Sequence, residues 1–157
     1  MNVSASVLLP DEAATRVLGS LLAKHVSPGS LVFLEGELGA GKTTLVREAI
    51  QSLGWTKPVR SPSYALIHSY ALERCTVHHL DLYRLGSVDE AVGLDLDTLL
   101  GTGGTSWIEW PDRLGGTLTP DWTIRLEIAD EGRVAHLEGP IEPMEAILAA
   151  TPTWRTP

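Results

Sequence analysis

Gly36-Glu37-Leu38-Gly39-Ala40-Gly41-Lys42-Thr43 decides the fold, because it matches G-x-x-x-x-G-K-[ST] in full and stands between a strand and a helix. Ahead of it, Leu31-Val32-Phe33-Leu34-Glu35 is a short apolar run that reads as a buried parallel strand. Behind it, Thr44-Leu45-Val46-Arg47-Glu48-Ala49-Ile50 carries apolar residues at helical spacing and ends near Gly54, a natural C-cap. In such a unit the glycines let backbone N–H groups curl around phosphates, and the helix N-terminus faces the same anion. Leu38, Gly39, Ala40, Gly41 and Thr44 supply that cradle. Lys42 neutralises the outer phosphates and the Thr43 hydroxyl ligates Mg²⁺. The expected ligand is a nucleoside triphosphate.

The rest of the chain extends this unit. Ser6 to Pro10 reads as a first strand, and Asp11 as the N-cap of a helix running to about Lys24. After the two prolines of Lys57-Pro58-Val59-Arg60-Ser61-Pro62-Ser63, Tyr64–Tyr70 and Thr76–Leu82 pattern as an antiparallel hairpin. Val88 to Leu100 is a weak helix interrupted by Gly93, and Thr105 to Glu109 is another buried strand. Asp121–Ala129 and Arg133–Leu137 flank a turn at Asp130-Glu131-Gly132, a second hairpin. Pro143 to Ala150 completes the elements as a short helix. Strands interleaved with helices, followed by hairpins, predict an α/β, three-layer P-loop fold with a mixed central sheet. Residues 1–150 are expected to form one nucleotide-binding domain, and 151–157 a frayed tail.

Composition narrows the partners. The chain has 157 residues, a net charge of −8 and twelve scattered Lys and Arg, with no run of three. Tight direct binding of nucleic acid needs clustered basic residues to displace counterions, so that class is disfavoured. The single Cys75 excludes a disulfide framework and fits a reducing compartment. The N-terminus lacks the pattern of a signal peptide and the apolar stretches are strand-sized, so the expectation is a cytoplasmic protein without a membrane partner.

Phosphoryl transfer with Mg²⁺ requires carboxylates beyond the loop, at strand ends that face the phosphates. Asp81 closes Val77-His78-His79-Leu80, and Glu109 closes Ser106-Trp107-Ile108 before Trp110-Pro111 stops that strand. Asp89, Asp95 and Asp97 fall on a predicted helix facing water. Ser61 and Ser63 occupy the linker that in switch-type nucleotidases brings a hydroxyl to the metal or the γ-phosphate. His78 and His79 are neighbours on a strand, point to opposite faces and cannot share one ion, so both are assigned to packing. Trp110, beside Glu109, is placed to approach the nucleotide.

Guanine specificity usually rests on N-K-x-D, and the only asparagine in the chain is Asn2. A small-molecule kinase normally closes an arginine-bearing lid, yet Val88 through Thr105 contains no Lys or Arg. A stand-alone P-loop kinase is therefore the alternative reading rather than the first. A nucleotide-sensing module without useful turnover is a third.

Four blocks in order resemble the TsaE (YjeE) family, the ATPase of bacterial tRNA threonylcarbamoyladenosine (t6A) biosynthesis. They are Gly36 to Thr44 (G-E-L-G-A-G-K-T-T), Ser61 to Leu66 (S-P-S-Y-A-L), His79 to Leu85 (H-L-D-L-Y-R-L) and Ile108 to Pro111 (I-E-W-P). The resemblance spans about Leu8 to Leu137, and the third and fourth blocks are its specific part. Ser63 stands where that family usually has Thr, and Ala65 where it has a second Thr. What the resemblance implies is ATP or ADP as ligand, Mg²⁺ held by Thr43 and Glu109, and Asp81 as an essential acid near the γ-phosphate. It also implies nucleotide contacts from Glu12 and from Gly132 and Arg133. The implied partners are proteins resembling TsaB and TsaD, with tRNA reached only through that complex.

Overall fold

The computed structural model describes residues 1–62 and 65–151. Seven strands form one mixed sheet: β1 (Asn2–Leu9), β2 (Leu31–Glu35), β3 (Ile67–Ala71), β4 (Thr76–Asp81), β5 (Thr105–Glu109), β6 (Trp122–Ile128) and β7 (Arg133–Pro140). Their spatial order is β1-β7-β6-β2-β5-β4-β3. The central strands β6, β2, β5 and β4 are joined by parallel pairings. Antiparallel β7 and β1 extend one side, and antiparallel β3 closes the other. This is the mixed three-layer α/β architecture expected from the sequence.

The two faces of the central strands separate by alternation. Val32 and Leu34 of β2, with Trp107 of β5, join the larger core under α1 (Glu12–His25), α2 (Lys42–Ser52) and α5 (Ile141–Ala149). Leu31 of β2 and Ile108 of β5 join a second core under α3 (Val88–Val92), α4 (Leu96–Leu100) and a 3₁₀ turn at Pro111–Leu114. Leu18, Leu22, Leu45 and Ile50 are fully buried where α1 and α2 pack on the sheet. Each such side chain contributes about 1.5–3 kcal/mol relative to exposure. The antiparallel β1-β7-β6 end keeps one polar face, with Ser4, Ser6, Thr123, Arg125, His136 and Glu138 lining an open groove.

Several boundaries differ from the sequence expectation. β1 begins at Asn2 rather than Ser6, because it pairs with β7 along its whole length, Asn2 opposite Pro140 and Leu9 opposite Arg133. β7 correspondingly runs to Pro140 rather than Leu137. Gly93 does more than interrupt a helix, since the segment from Val88 to Leu100 is two separate five-residue helices. β3 starts at Ile67 rather than Tyr64, after Leu66 adopts a left-handed conformation (φ 66°) that no strand continues through. Ser63 and Tyr64 lie outside the described residues, as do 152–157 of the expected tail. Thr151 is buried, its hydroxyl donating to the Ile147 carbonyl at 3.2 Å.

Candidate active site

β2 delivers the chain to the glycine-rich loop at the carboxyl end of the sheet, and Gly41 (φ 109°) turns it into α2. That backbone conformation is open to glycine and costly for other residues. No side chain caps the first N–H groups of α2, so they remain available to an anion. Asp81 and Glu109 close the neighbouring parallel strands β4 and β5 at the same level and are register partners. Parallel strands emerging side by side bring both carboxylates to the loop.

Two adjoining hollows flank the loop. One, of ≈ 280 Å³, is lined by Leu38 to Thr44, Ser61, Asp81, Glu109 and Trp110. The other, of ≈ 190 Å³, is lined by Asp11, Glu12, Thr15, Gly39, Ala40, Gly41, Thr44, Gly132 and Arg133. Gly39, Ala40, Gly41 and Thr44 are common to both. Every site residue expected from the sequence lines one or the other, apart from Ser63, which is not described.

Within the first hollow the polar groups are buried and mutually bonded. The Thr43 hydroxyl lies 3.0 and 3.2 Å from the two Glu109 carboxylate oxygens. Lys42 is buried; its ammonium donates to the Gly36 carbonyl and, at 3.0 Å, to that of Glu37. It also sits 4.2 Å from the centre of the Trp110 ring, within cation–π range. Burial lowers the Lys42 pKa, and the nearby Glu109, Asp81, Glu37 and Asp112 charges oppose that shift. Asp81 accepts a hydrogen bond from the Tyr83 backbone N–H at 3.1 Å. Trp110 holds a left-handed backbone (φ 60°, ψ 52°), costly for a bulky residue, and stacks near Tyr83 at 4.9 Å. Strain of this kind concentrates at functional sites.

The donor set fits a hard divalent cation. Two buried carboxylates and one hydroxyl offer oxygen ligands, and formally the carboxylates outnumber the ammonium by one.

The second hollow is closed by the β6–β7 turn. Arg133 reaches across to the loop, donating to the Ala40 carbonyl at 3.3 Å and the Gly39 carbonyl at 3.2 Å. The turn presses against β1, since a Cβ on Gly132 (φ 80°) would lie 2.1 Å from the Leu9 carbonyl oxygen. Among the described residues, Arg60, Arg84 and Arg113 line neither hollow, and Arg133 is the arginine that does.

The family signature described as "Threonylcarbamoyl adenosine biosynthesis protein TsaE" matches residues 9–136, which include the loop and both carboxylates. The chain belongs to the TsaE family. A TsaE protein of Nostoc sp., named for tRNA threonylcarbamoyladenosine biosynthesis, is 38% identical over 131 residues, 80% of each chain. The Haemophilus influenzae TsaE protein is 32% identical over 140 residues, covering 85% of this chain and 89% of the relative. The crystal structure of Bacillus subtilis YdiB superposes with a TM-score of 0.70 at 23% identity, over 98% of this chain and 95% of that one, which establishes a shared fold.

The family match over residues 9–136 spans all four TsaE-type blocks, whereas the packing role expected for the two histidines holds for only one of them. His78 and His79 do diverge, and His78 bonds Ser69 at 2.8 Å and Thr102 at 3.1 Å, away from the loop. His79 is not a packing residue alone, because its Nε2 is 2.6 Å from Glu109 Oε2. The signal was available in the period of two: His79 and Asp81 share a face of β4, as Trp107 and Glu109 share a face of β5. Asp11 and Thr15 also line the second hollow, beyond the residues expected there from the sequence. No helix among the described residues is long and apolar enough to cross a membrane.

Proposed function

We propose that this TsaE-family chain is the ATP-hydrolysing component of the tRNA t6A modification machinery, acting with protein partners resembling TsaB and TsaD. The observation that carries the reading is the contact of Thr43 with Glu109 beside Asp81, at the end of a complete phosphate loop. Relatives named for tRNA threonylcarbamoyladenosine biosynthesis supply the biological setting.

In this reading the backbone N–H groups from Leu38 to Thr44 hold the β-phosphate. Lys42 exchanges its bonds to the Gly36 and Glu37 carbonyls for the outer phosphates, moving its charge from a carbonyl pair to an anion. Thr43 and Glu109 would hold Mg²⁺, which when bound neutralises charge on the β- and γ-phosphates. Asp81 accepts a hydrogen bond from the attacking water and orients it on the γ-phosphorus. Ser61, and Ser63 by its place in the linker, offer hydroxyls on the γ-phosphate side. Glu12, Gly132 and Arg133 border the hollow assigned to the nucleoside. The adenine preference rests on the absence of an N-K-x-D loop and on the family.

The acidic net charge of −8 agrees with tRNA being held by the partners. Charge on the transferred phosphoryl is often met by an arginine worth about 10³–10⁵ in rate. Arg133 spends its guanidinium on loop carbonyls, so hydrolysis by the chain alone is expected to be slow. Steady-state ATP hydrolysis with and without the partner pair tests the proposal. Strong stimulation supports it; rapid turnover that ignores the pair, or phosphate transfer to a small metabolite, overturns it.

A further inference from the structure

We infer that His79 is a positioning residue for Glu109, holding one carboxylate oxygen so that the other stays aimed for the cation; this rests on reading Glu109 as a metal ligand. His79 is fully buried and Glu109 is 2% exposed. His79 Nε2 donates to Glu109 Oε2 at 2.6 Å, while Nδ1 is buried with no hydrogen-bond partner in the protein. A proton on Nδ1 would face no acceptor, so the geometry assigns the proton to Nε2.

An imidazole is a poor way to fill space here. Leu80 and Leu82 fill neighbouring core positions with no polar atom to desolvate. Burying a ring with one unpartnered nitrogen costs stability unless the other nitrogen gains something specific. What it gains is the carboxylate. The alternation of β4 and the parallel register deliver it: His79 lies opposite Trp107, two positions before Asp81 opposite Glu109. His79 therefore reaches the adjacent strand's terminal residue diagonally.

The need for such a group follows from the other partner. Glu109 also contacts the Thr43 hydroxyl, through Oε1 at 3.0 Å and Oε2 at 3.2 Å. A Thr43 hydroxyl that offered an oxygen lone pair to a cation would keep a single O–H proton for the two Glu109 oxygens. His79 is the second donor, and it fixes the Oε2 side of the carboxylate so that the rotamer does not depend on that one proton. Carboxylates that ligate metals are themselves held by hydrogen-bonding partners behind them, and loss of such a partner typically costs about 10–100-fold in metal affinity or activity.

The test is Mn²⁺ titration of the ADP complex of the full chain, followed by electron paramagnetic resonance, with metal-free ADP binding by calorimetry alongside. His79→Leu is expected to weaken Mn²⁺ binding by about 10–100-fold and leave metal-free ADP affinity unchanged. His79→Gln, whose amide can donate, should restore most of the loss. Wild-type Mn²⁺ affinity in His79→Leu, with Glu109→Gln impaired, overturns this inference alone. Wild-type affinity in Glu109→Gln overturns the metal reading beneath it. Loss in both His79 variants in step with lower thermal stability reads as packing and also overturns it. Should His79→Leu not fold, ¹⁵N resonances of the wild-type imidazole decide: a protonated Nε2 that shifts on adding Mg²⁺ to the ADP complex is the expected result, and a bare Nε2 is the contrary one.

Discussion

Asp81 and Glu109 sit side by side as register partners at the ends of parallel strands β4 and β5, both buried, with the Lys42 ammonium close enough to feel both charges. Neither carboxylate is a solvated strand end, although each terminates its strand. Two formal negative charges against one positive give this corner of the sheet the charge balance that the proposed cation and phosphate would complete. The different neighbours of the two acids lead to different expected consequences of removing them.

Glu109→Gln removes the charge that faces Thr43 and should cost metal-dependent hydrolysis at least the 10–100-fold, roughly, that even supporting groups are worth. Metal-free ADP binding should survive. Asp81→Asn should lower kcat by about 10²–10⁴, the usual scale for a positioned proton acceptor, with ADP affinity little changed. Single-turnover hydrolysis and calorimetry on each variant separate these outcomes. Wild-type kcat in both would make the two acids structural.

Lys42→Met should weaken ADP binding by about 10–100-fold, since hydrogen bonds to a charged donor contribute about 1.5–3 kcal/mol. The fold should persist. In the protein alone the Lys42 ammonium donates to the loop carbonyls of Gly36 and Glu37, and it is held against a desolvation penalty. Calorimetry with ADP and a cooperative melting curve are the two measurements. Loss of cooperative unfolding would show the lysine to be a folding element.

The strand and loop that made the fold readable are local features. Leu31–Glu35 and Thr105–Glu109 have the same bounds in sequence and structure because each is a short run without helical periodicity, bracketed by glycine or proline. Asp81 and Glu109 could be picked out as strand-end acids for the same reason. What the sequence could not convey is lateral order. Nothing in Trp122–Ile128 announces that it inserts between β2 and β7, and that placement is what carries Gly132 and Arg133 to the loop. His79 was hidden likewise, since its partner lies 30 residues away on a strand whose neighbour had to be known. The break at Gly93 was legible, but whether it bends or ends a helix depends on packing against the 3₁₀ turn.

Gly132→Ala should destabilise the chain more than Gly116→Ala does. Both glycines have nearly the same positive φ, 80° and 77°, so the conformational cost of about 1–2 kcal/mol is common to them. A Cβ on Gly116 meets nothing within 4 Å, whereas on Gly132 it would lie 2.1 Å from the Leu9 carbonyl oxygen. The collision pushes the β6–β7 turn off β1 and takes Arg133 away from Gly39 and Ala40, so ADP affinity should fall as well. Urea unfolding of both variants and ADP calorimetry check this. Equal stability loss with unchanged affinity would show the turn free to move.

Acid should weaken the fold through His78. Thr102 donates its hydroxyl proton to the Leu99 carbonyl at 2.8 Å, so the same oxygen accepts from His78 Nε2–H. In the neutral ring Nδ1 then accepts from Ser69. Burial lowers the His78 pKa below its ordinary value of 6.5, so the unfolded chain binds this proton more readily than the folded one. The stability contribution is therefore complete above pH 6.5 and is lost as pH falls through the folded-state value. One such group changes the unfolding free energy by at most about 1.4 kcal/mol per pH unit. His78→Gln keeps a polar group between Ser69 and Thr102 but cannot titrate. Between pH 7.5 and 5.5, on the order of the window spanned by a lowered histidine, urea unfolding should show a smaller loss of stability in His78→Gln than in wild type. An identical loss in both would mean that His78 keeps its solution pKa in the folded chain.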